Sequence, residues 1–243
     1  MIAMQLVFDF PINPKFSFEN FVVCSGNDTA FQFARLLAAD DTKNLLFIHG
    51  PAGSGKTHLL RALAGAFCSR QGRATLPTIS FKNIDEIYRG DYPAEAVSKL
   101  GERFLDEPAL LIDDIHCMPD NPHVRSEFWQ LFNDFHDSSR KIAITGLYSP
   151  RDTPHLDDHI VSRLLWGLVA KVDISGDDSL RMIMKKLAED RSILLPADVI
   201  DYLLLHIRRE LPPLIAALER IHHHSLATSR KISLRLAREI IRA

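Results

Sequence analysis

Residues 50–57 read GPAGSGKT, a G-x-x-x-x-G-K-T stretch, and its reading decides the fold. The pattern is that of a phosphate-binding loop, or Walker A motif. LLFIH (Leu45 to His49) ahead of it is a short apolar run, as a buried strand is. HLLRALAGAF (His58 to Phe67) after it puts Leu59, Leu60, Leu63 and Phe67 on one side of a helix. Gly50, Gly53 and Gly55 let the backbone turn tightly and aim its N–H groups at phosphate oxygens. The helix that follows adds its positive N-terminal end at the same point. Lys56 is placed to reach the β- and γ-phosphates, and Thr57 to hold a magnesium ion. The loop residues Gly50, Pro51, Ala52, Gly53, Ser54, Gly55, Lys56 and Thr57, with His58 beside them, are therefore the candidate site for ADP or ATP with Mg2+. A functionless glycine-rich turn could match the same eight letters, but the flanking strand and helix argue against it.

LLIDDIH (Leu110 to His116) supplies the second half of such a site, a Walker B element in which an apolar strand ends in acids. Asp113 sits where a magnesium-coordinating carboxylate belongs. Asp114 is placed to orient or activate a water for attack on the γ-phosphate. Around these motifs, strand-like and helix-like segments alternate up to about residue 175. TISF (Thr78 to Phe81), KIAITG (Lys141 to Gly146) and VAKVDI (Val169 to Ile174) read as further strands, and EFWQLFNDFHD (Glu127 to Asp137) as a helix. The alternation predicts an α/β fold with a parallel sheet between helices.

After SGDD (Ser175 to Asp178) only helical patterns remain. Leu180, Ile183, Met184 and Leu187 form one apolar stripe. Pro196 opens a helix carrying Val199, Ile200, Leu203 and Leu204, and Pro212 and Pro213 precede one carrying Leu214, Ala217, Leu218 and Ile221. Ser233 is placed to cap a last helix with Leu236, Ala237 and Ile240 inward. The expected organisation is an N-terminal tail over 1–12, a nucleotide-binding α/β domain over 13–175 and a small all-helical domain over 176–243.

With 46% hydrophobic and 25% charged residues in 243, a packed core is expected. No apolar stretch is long enough to span a bilayer, and MIAMQLVF has no basic region ahead of its apolar residues, so it is a poor signal peptide. Cys24, Cys68 and Cys117 are far apart and form no C-x-x-C, which argues for a reducing cytoplasm and against a disulfide framework or structural zinc. A net charge of −2 gives no general reason for nucleic-acid binding. From Arg208 onward, however, eight Lys or Arg stand against Glu210, Glu219 and Glu239. That basic face could meet DNA or an acidic protein, or be an ordinary solvated helical surface. His222, His223 and His224 are consecutive, so on a helix they point in different directions and cannot easily share one ion.

The chain resembles the AAA+ ATPases of the bacterial replication initiator DnaA branch over most of its length. GPAGSGKTHLL and LLIDDIH resemble that family's Walker elements. NPKFSFENFVV (Asn13 to Val23) resembles the segment that enters the module and frames the adenine, which implies Phe21, Val22 and Val23 at the base. SRLLWGL (Ser162 to Leu168) resembles box VII, whose serine-arginine pair implies Arg163 as an arginine finger. LPADVIDYLLLHIRREL and KISLRLAREII resemble the helical lid. No helicase-interaction domain is expected ahead of Asn13 and no helix-turn-helix domain after residue 243, the form of the family's Hda-type regulators. QLVFDF (Gln5 to Phe10) resembles the clamp-binding peptide at the front of such regulators. Gln5 would make polar contacts, and Leu6, Phe8 and Phe10 would anchor in a preformed groove. The same alternation of Leu6, Phe8 and Phe10 also fits an edge strand. The resemblance implies docking on the DNA polymerase sliding clamp and stimulated hydrolysis of ATP bound to the initiator DnaA. It implies at most indirect or weak DNA contact and no membrane; self-association is left open.

Three positions depart from the family pattern. Leu147 stands at the sensor 1 position in ITGLYSP, with Thr145 the nearest polar group. Pro212 stands where the lid carries the sensor 2 arginine, so no guanidinium is supplied there unless Arg208 or Arg209 substitutes. His159 replaces the first arginine of box VII. Nucleotide binding is expected, with weak turnover of the chain's own ATP. The rival readings are a helicase loader, a stand-alone ATPase, and a clamp-bound adaptor that never stimulates hydrolysis.

Overall fold

The computed structural model describes residues 7–11, 16–83 and 101–242. Among the described residues six strands form one sheet: β1 (Val7–Pro11), β2 (Leu45–His49), β3 (Thr75–Ser80), β4 (Ala109–Asp113), β5 (Lys141–Gly146) and β6 (Leu168–Lys171). Their order is β1-β3-β4-β5-β2-β6. The strands from β3 to β6 in that order run parallel, as expected. The phosphate-loop strand β2 lies between β5 and β6, so its C-terminal end opens where neighbouring strands come from distant parts of the chain. Ligands of open α/β sheets bind at such points.

β1 is an antiparallel edge strand on β3, with Val7 opposite Ile79 and Phe10 opposite Leu76. Over 7–11 the segment expected as a tail is thus the edge strand that its alternation also allowed. Gln5 and Leu6 lie outside the described residues, as do 12–15 and 84–100.

Helices α1 (Asp28–Ala39), α2 (Lys56–Gln71), α3 (Pro122–Asp137) and α4 (Asp158–Trp166) belong with the sheet. The expected stripe Leu59, Leu60, Leu63 and Phe67 of α2 is buried. α3 puts Phe128, Phe132 and Phe135 into one core cluster with Phe47, Ile112, Ile144, Ile160 and Leu164. Each such side chain stabilises by roughly 1.5–3 kcal/mol on burial, so this aromatic row is what fixes α3. α3 starts before the expected Glu127 because Asn121 caps it: its Oδ1 accepts from the N–H groups of His123 (2.9 Å) and Val124 (3.2 Å), with Pro122 in the first turn. Strand β4 stops at Asp113, short of the expected Ile115, because Asp114 adopts a left-handed backbone at φ 55°. β6 likewise ends at Lys171, short of Ile174.

The chain divides into two compact units. The first holds the sheet and α1 to α4. The second holds Val22–Asn27, Pro51–Ser54 and the chain from Asp173 onward. It contains α5 (Asp177–Asp190), α6 (Ala197–His206), α7 (Leu211–Thr228) and α8 (Leu234–Arg242). Its core is the set of stripes read from the sequence: Leu180, Ile183, Met184, Val199, Ile200, Leu203, Leu204, Leu214, Ala217, Leu218, Ile221, Leu236, Ala237 and Ile240. Leu187 is only half-buried, and Ala188 takes the inner position. Ser233 caps α8, its Oγ accepting from Leu236 N–H at 3.4 Å. Among the described residues no helix is long and apolar enough to cross a membrane.

Candidate functional site

The loop after β2 is anchored at its start, where Gly50 N–H donates to Gly146 O of β5 at 3.2 Å. It reverses through Gly53 (φ 73°) and Gly55 (φ 98°), values that side chains resist. Space around both glycines is tight as well. A Cβ on Gly55 would stand 3.0 Å from the Phe21 ring, and one on Gly53 would stand 2.7 Å from Pro212 Cδ, within the second unit. α2 then begins at Lys56, directly after Gly55.

Inside the first unit the structure brings Lys56, Thr57, Asp113, Asp114 and Thr145 together. Lys56 is 6% exposed and donates from Nζ to Gly50 O at 2.8 Å. Burial lowers its pKa, partly offset by Asp114 and Asp113. Thr57 Oγ1 lies 2.9 Å from Asp113 Oδ2. Thr145 donates to Asp113 Oδ1 and accepts the Asp114 N–H at 3.1 Å. Asp113 is 4% exposed, and burial with the Asp114 charge beside it raises its pKa against the two hydroxyl bonds. Asp114 is raised too, mainly by burial, with Lys56 and Lys82 opposing. His116, just beyond, is lowered by burial and Lys56.

These residues fit a magnesium-bound nucleotide. Within the second unit, Ser54 Oγ is buried with no hydrogen-bond partner among the described residues. Thr57 and Asp113 offer one hydroxyl and one carboxylate at adjacent points, the sparse oxygen set that suits Mg2+ shared with phosphates. A bound nucleotide would supply the phosphates that complete the ion's coordination. Lys56, in the same unit, would hold those phosphates.

Of the expected adenine-framing residues, Phe21 stacks on Phe31 (5.7 Å, 9°) and meets His58 edge-on at 5.1 Å. His58 Nε2 is 3.0 Å from Ser17 O, so His58 holds the incoming segment. Val22 and Val23 lie in the second unit. A residue not singled out from the sequence fixes them: Asn27, 2% exposed, donates from Nδ2 to Val22 O (3.0 Å) and accepts Cys24 N–H at Oδ1 (2.8 Å). An asparagine directly ahead of the first residue of α1 was the available signal.

At the three departures, Leu147 is half-buried, and Thr145 grips Asp113. Pro212 sits in the first turn of α7. Arg209, one of the two possible substitutes, pairs with Asp177 at 3.4 Å. His159 packs edge-on against Trp129 at 4.8 Å. Arg163 is contacted by Asn133, Asp137 and Trp129 of α3. Asp157 and Asp158, the acids nearest it in sequence, are not its partners. Part of the basic C-terminal set is engaged internally: Arg230 with Glu239 at 3.0 Å, and Arg220 with Ile240 O at 3.0 Å. Among the described residues no cluster of His, Cys, Asp or Glu suits a metal ion, the three consecutive histidines included. Phe8 and Phe10 lie in β1.

Two families match the chain: the bacterial DnaA ATPase domain over residues 12–171, and the Hda lid domain over residues 177–241. The chromosomal replication initiator protein DnaA of Limosilactobacillus fermentum is 28% identical over 233 residues, covering 95% of this chain and 53% of that protein. The protein of the same name from Anaplasma marginale is 28% identical over 235 residues, covering 95% and 50%. The chain thus spans about half the length of the curated relatives it matches. Among solved structures, domain III of the Thermotoga maritima replication initiation protein DnaA superposes with a TM-score of 0.80 at 28% identity, covering 96% of this chain and 98% of that one. AMPPCP-bound DnaA from Aquifex aeolicus gives 0.73 at 23% identity, covering 87% and 65%, a likeness of fold.

Proposed function

The chain belongs to the bacterial DnaA ATPase domain family, and from that membership we propose that it is a nucleotide-bound regulator of replication initiation. It would offer Arg163 in trans to ATP held by the initiator DnaA. The observation that carries this reading is the Hda-type lid directly after the ATPase domain, with proline where the lid would present its own guanidinium. The first unit keeps groups that hold a nucleotide, Lys56, Thr57 and Asp113, and in the lid α7 carries Pro212 where the family has an arginine. The chain is built to bind ADP or ATP with Mg2+ and to turn over slowly. Asp114 remains available to orient a water, so slow hydrolysis is expected rather than none.

A guanidinium delivered to a γ-phosphate is worth roughly 10³–10⁵ in rate in phosphoryl transfer, because it meets charge that spreads over the transferring oxygens. Arginine is required for this, since its planar fork bridges two oxygens and lysine does not. The sliding clamp enters through Gln5, Leu6, Phe8 and Phe10. Phe8 and Phe10 lie in β1, an edge strand of five residues paired with β3. The testing experiment measures hydrolysis of DnaA-bound ATP with this protein added, with and without DNA-loaded clamp. Stimulation that needs the clamp supports the reading. No stimulation in either arm refutes it.

A further inference from the structure

α3 presents a stripe to Arg163 at four-residue spacing: Trp129, Asn133 and Asp137. Residues four apart on a helix stand above one another on one face. Arg163 Nη1 donates a hydrogen bond to Asn133 Oδ1. Its guanidinium carbon lies 5.1 Å from the centre of the Trp129 ring, within reach of a cation–π contact. Nη1 is 3.8 Å from Asp137 Oδ1. Trp129 is itself fixed. It stacks on Phe132 with the rings 13° from parallel, and His159 meets it edge-on at 4.8 Å.

The chemistry of this grip is unusual for an arginine with a purely structural role. Such an arginine is best closed by a carboxylate, which pairs with it bidentately and cancels its charge. Among the described residues the one hydrogen-bond acceptor of Arg163 is a neutral amide. The carboxylate of Asp137 is 69% exposed and stands at the limit of ion-pair distance, so its hold is weak. An aromatic face and an amide fix where the guanidinium lies and leave its positive charge intact. The Arg163 side chain remains 29% exposed. A cation fixed in place, only weakly paired and still partly exposed suits a group acting on another molecule's phosphate. Its rotamer freedom is already lost before the encounter, so that loss does not burden the transition state.

We propose that Asn133, backed by Trp129, is a positioning residue that pre-aligns Arg163 for delivery in trans. This rests on the reading of Arg163 as a finger. The test uses the full chain as wild type, Asn133→Ala, Asn133→Gln, Arg163→Ala and the double variant. Each is titrated against DnaA loaded with ATP in the presence of DNA-loaded clamp, and the saturating rate and half-saturating concentration are read separately. Melting temperature is recorded for each variant. Asn133→Ala is expected to lower the saturating rate about tenfold, since small misplacement of a reacting group is costly, with half-saturation and melting temperature unchanged. Asn133→Gln, which keeps an amide acceptor, is expected to recover part of that rate. The double variant should be no worse than Arg163→Ala alone. A wild-type saturating rate in Asn133→Ala overturns the proposal. So does a loss confined to half-saturation or melting temperature, or a gain in rate, which would make the stripe a latch. The two layers separate cleanly. An inactive Arg163→Ala beside a fully active Asn133→Ala removes only this inference, whereas a fully active Arg163→Ala removes the finger and this inference with it.

Discussion

Replacing Asp113 by asparagine separates what the carboxylate costs the fold from what it does for binding. Asp113 is 4% exposed, its two oxygens take hydrogen bonds from Thr57 and Thr145, and the Asp114 charge is beside it. Asparagine keeps an acceptor for the Thr145 hydroxyl and offers an N–H to Thr57, so the hydrogen bonds survive the change. The buried charge does not. Two carboxylates on adjacent residues repel by about 2 kcal/mol at an effective dielectric constant of ~20. Lys56 offsets part of this, which leaves a net gain of about 1 kcal/mol, or ~2–4 °C in melting temperature for a chain of this size. The pH dependence follows from the raised pKa of Asp113. A carboxyl whose folded pKa lies above its unfolded value holds its proton more tightly when folded. Metal-free stability therefore falls as pH rises from the ordinary carboxylate range through the raised value, and that slope should be weaker in Asp113→Asn. With Mg2+ and nucleotide the order reverses. A ligand at a hundred times its Kd stabilises wild type by about 2.7 kcal/mol, most of which the variant should lack. The assay is a thermal melt across pH with chelator, repeated with Mg2+ and ADP. A lower metal-free melting temperature in Asp113→Asn, or an undiminished Mg2+·ADP upshift, refutes the reasoning.

Lys56→Ala removes the buried cation of the loop. Charge-assisted bonds to phosphate are worth ~2–3 kcal/mol, so calorimetry should show ADP and ATP affinity down by about 30- to 100-fold or more, and unchanged affinity would place the nucleotide elsewhere. Pro212→Arg restores a guanidinium to the first turn of α7. It should raise the chain's own ATP turnover severalfold from a slow wild-type rate, and brisk hydrolysis by wild type would show that the departure does not matter. Alanine at both Gln5 and Leu6 should abolish clamp binding with melting temperature unchanged, because both precede β1; clamp binding that persists would remove the N-terminal peptide from the account.

The parts of the site that could be read in advance are those set by local chain geometry. A phosphate loop is a continuous turn between a strand and a helix, so Gly50 to Thr57 carry their function in their own spacing. Parallel strands buried on both faces are plain apolar runs, which is why β2, β4 and β5 stood out. The helical stripes of the second unit were legible for the same reason, through periodicity. What was not legible depended on residues distant in sequence. The alternation at Leu6, Phe8 and Phe10 suits a groove-binding peptide and a strand equally, and only the pairing of Val7 with Ile79 decides in favour of a strand over 7–11. The partners of Arg163 are on a helix some thirty positions upstream, while the acids adjacent to it in sequence point to a different pairing. Thr145 was visible as a polar group at a strand end. Its bonds to Asp113 and the Asp114 N–H depend on the pairing of β5 beside β4, which no residue pattern announced. Asn27 was missed because one buried amide serving a loop resembles any other helix-start asparagine.

The most direct test of the central claim is the rate of hydrolysis of DnaA-bound ATP in the presence of DNA-loaded clamp, measured with wild type, Arg163→Ala and Arg163→Lys. Wild type is expected to raise the rate, and both variants to leave it at the unstimulated level while binding ADP as wild type does. The lysine variant keeps the charge and loses the planar fork, so its failure would locate the effect in the guanidinium. Stimulation by Arg163→Ala equal to that of wild type would contradict the account and return Arg163 to a side chain that joins α4 to α3.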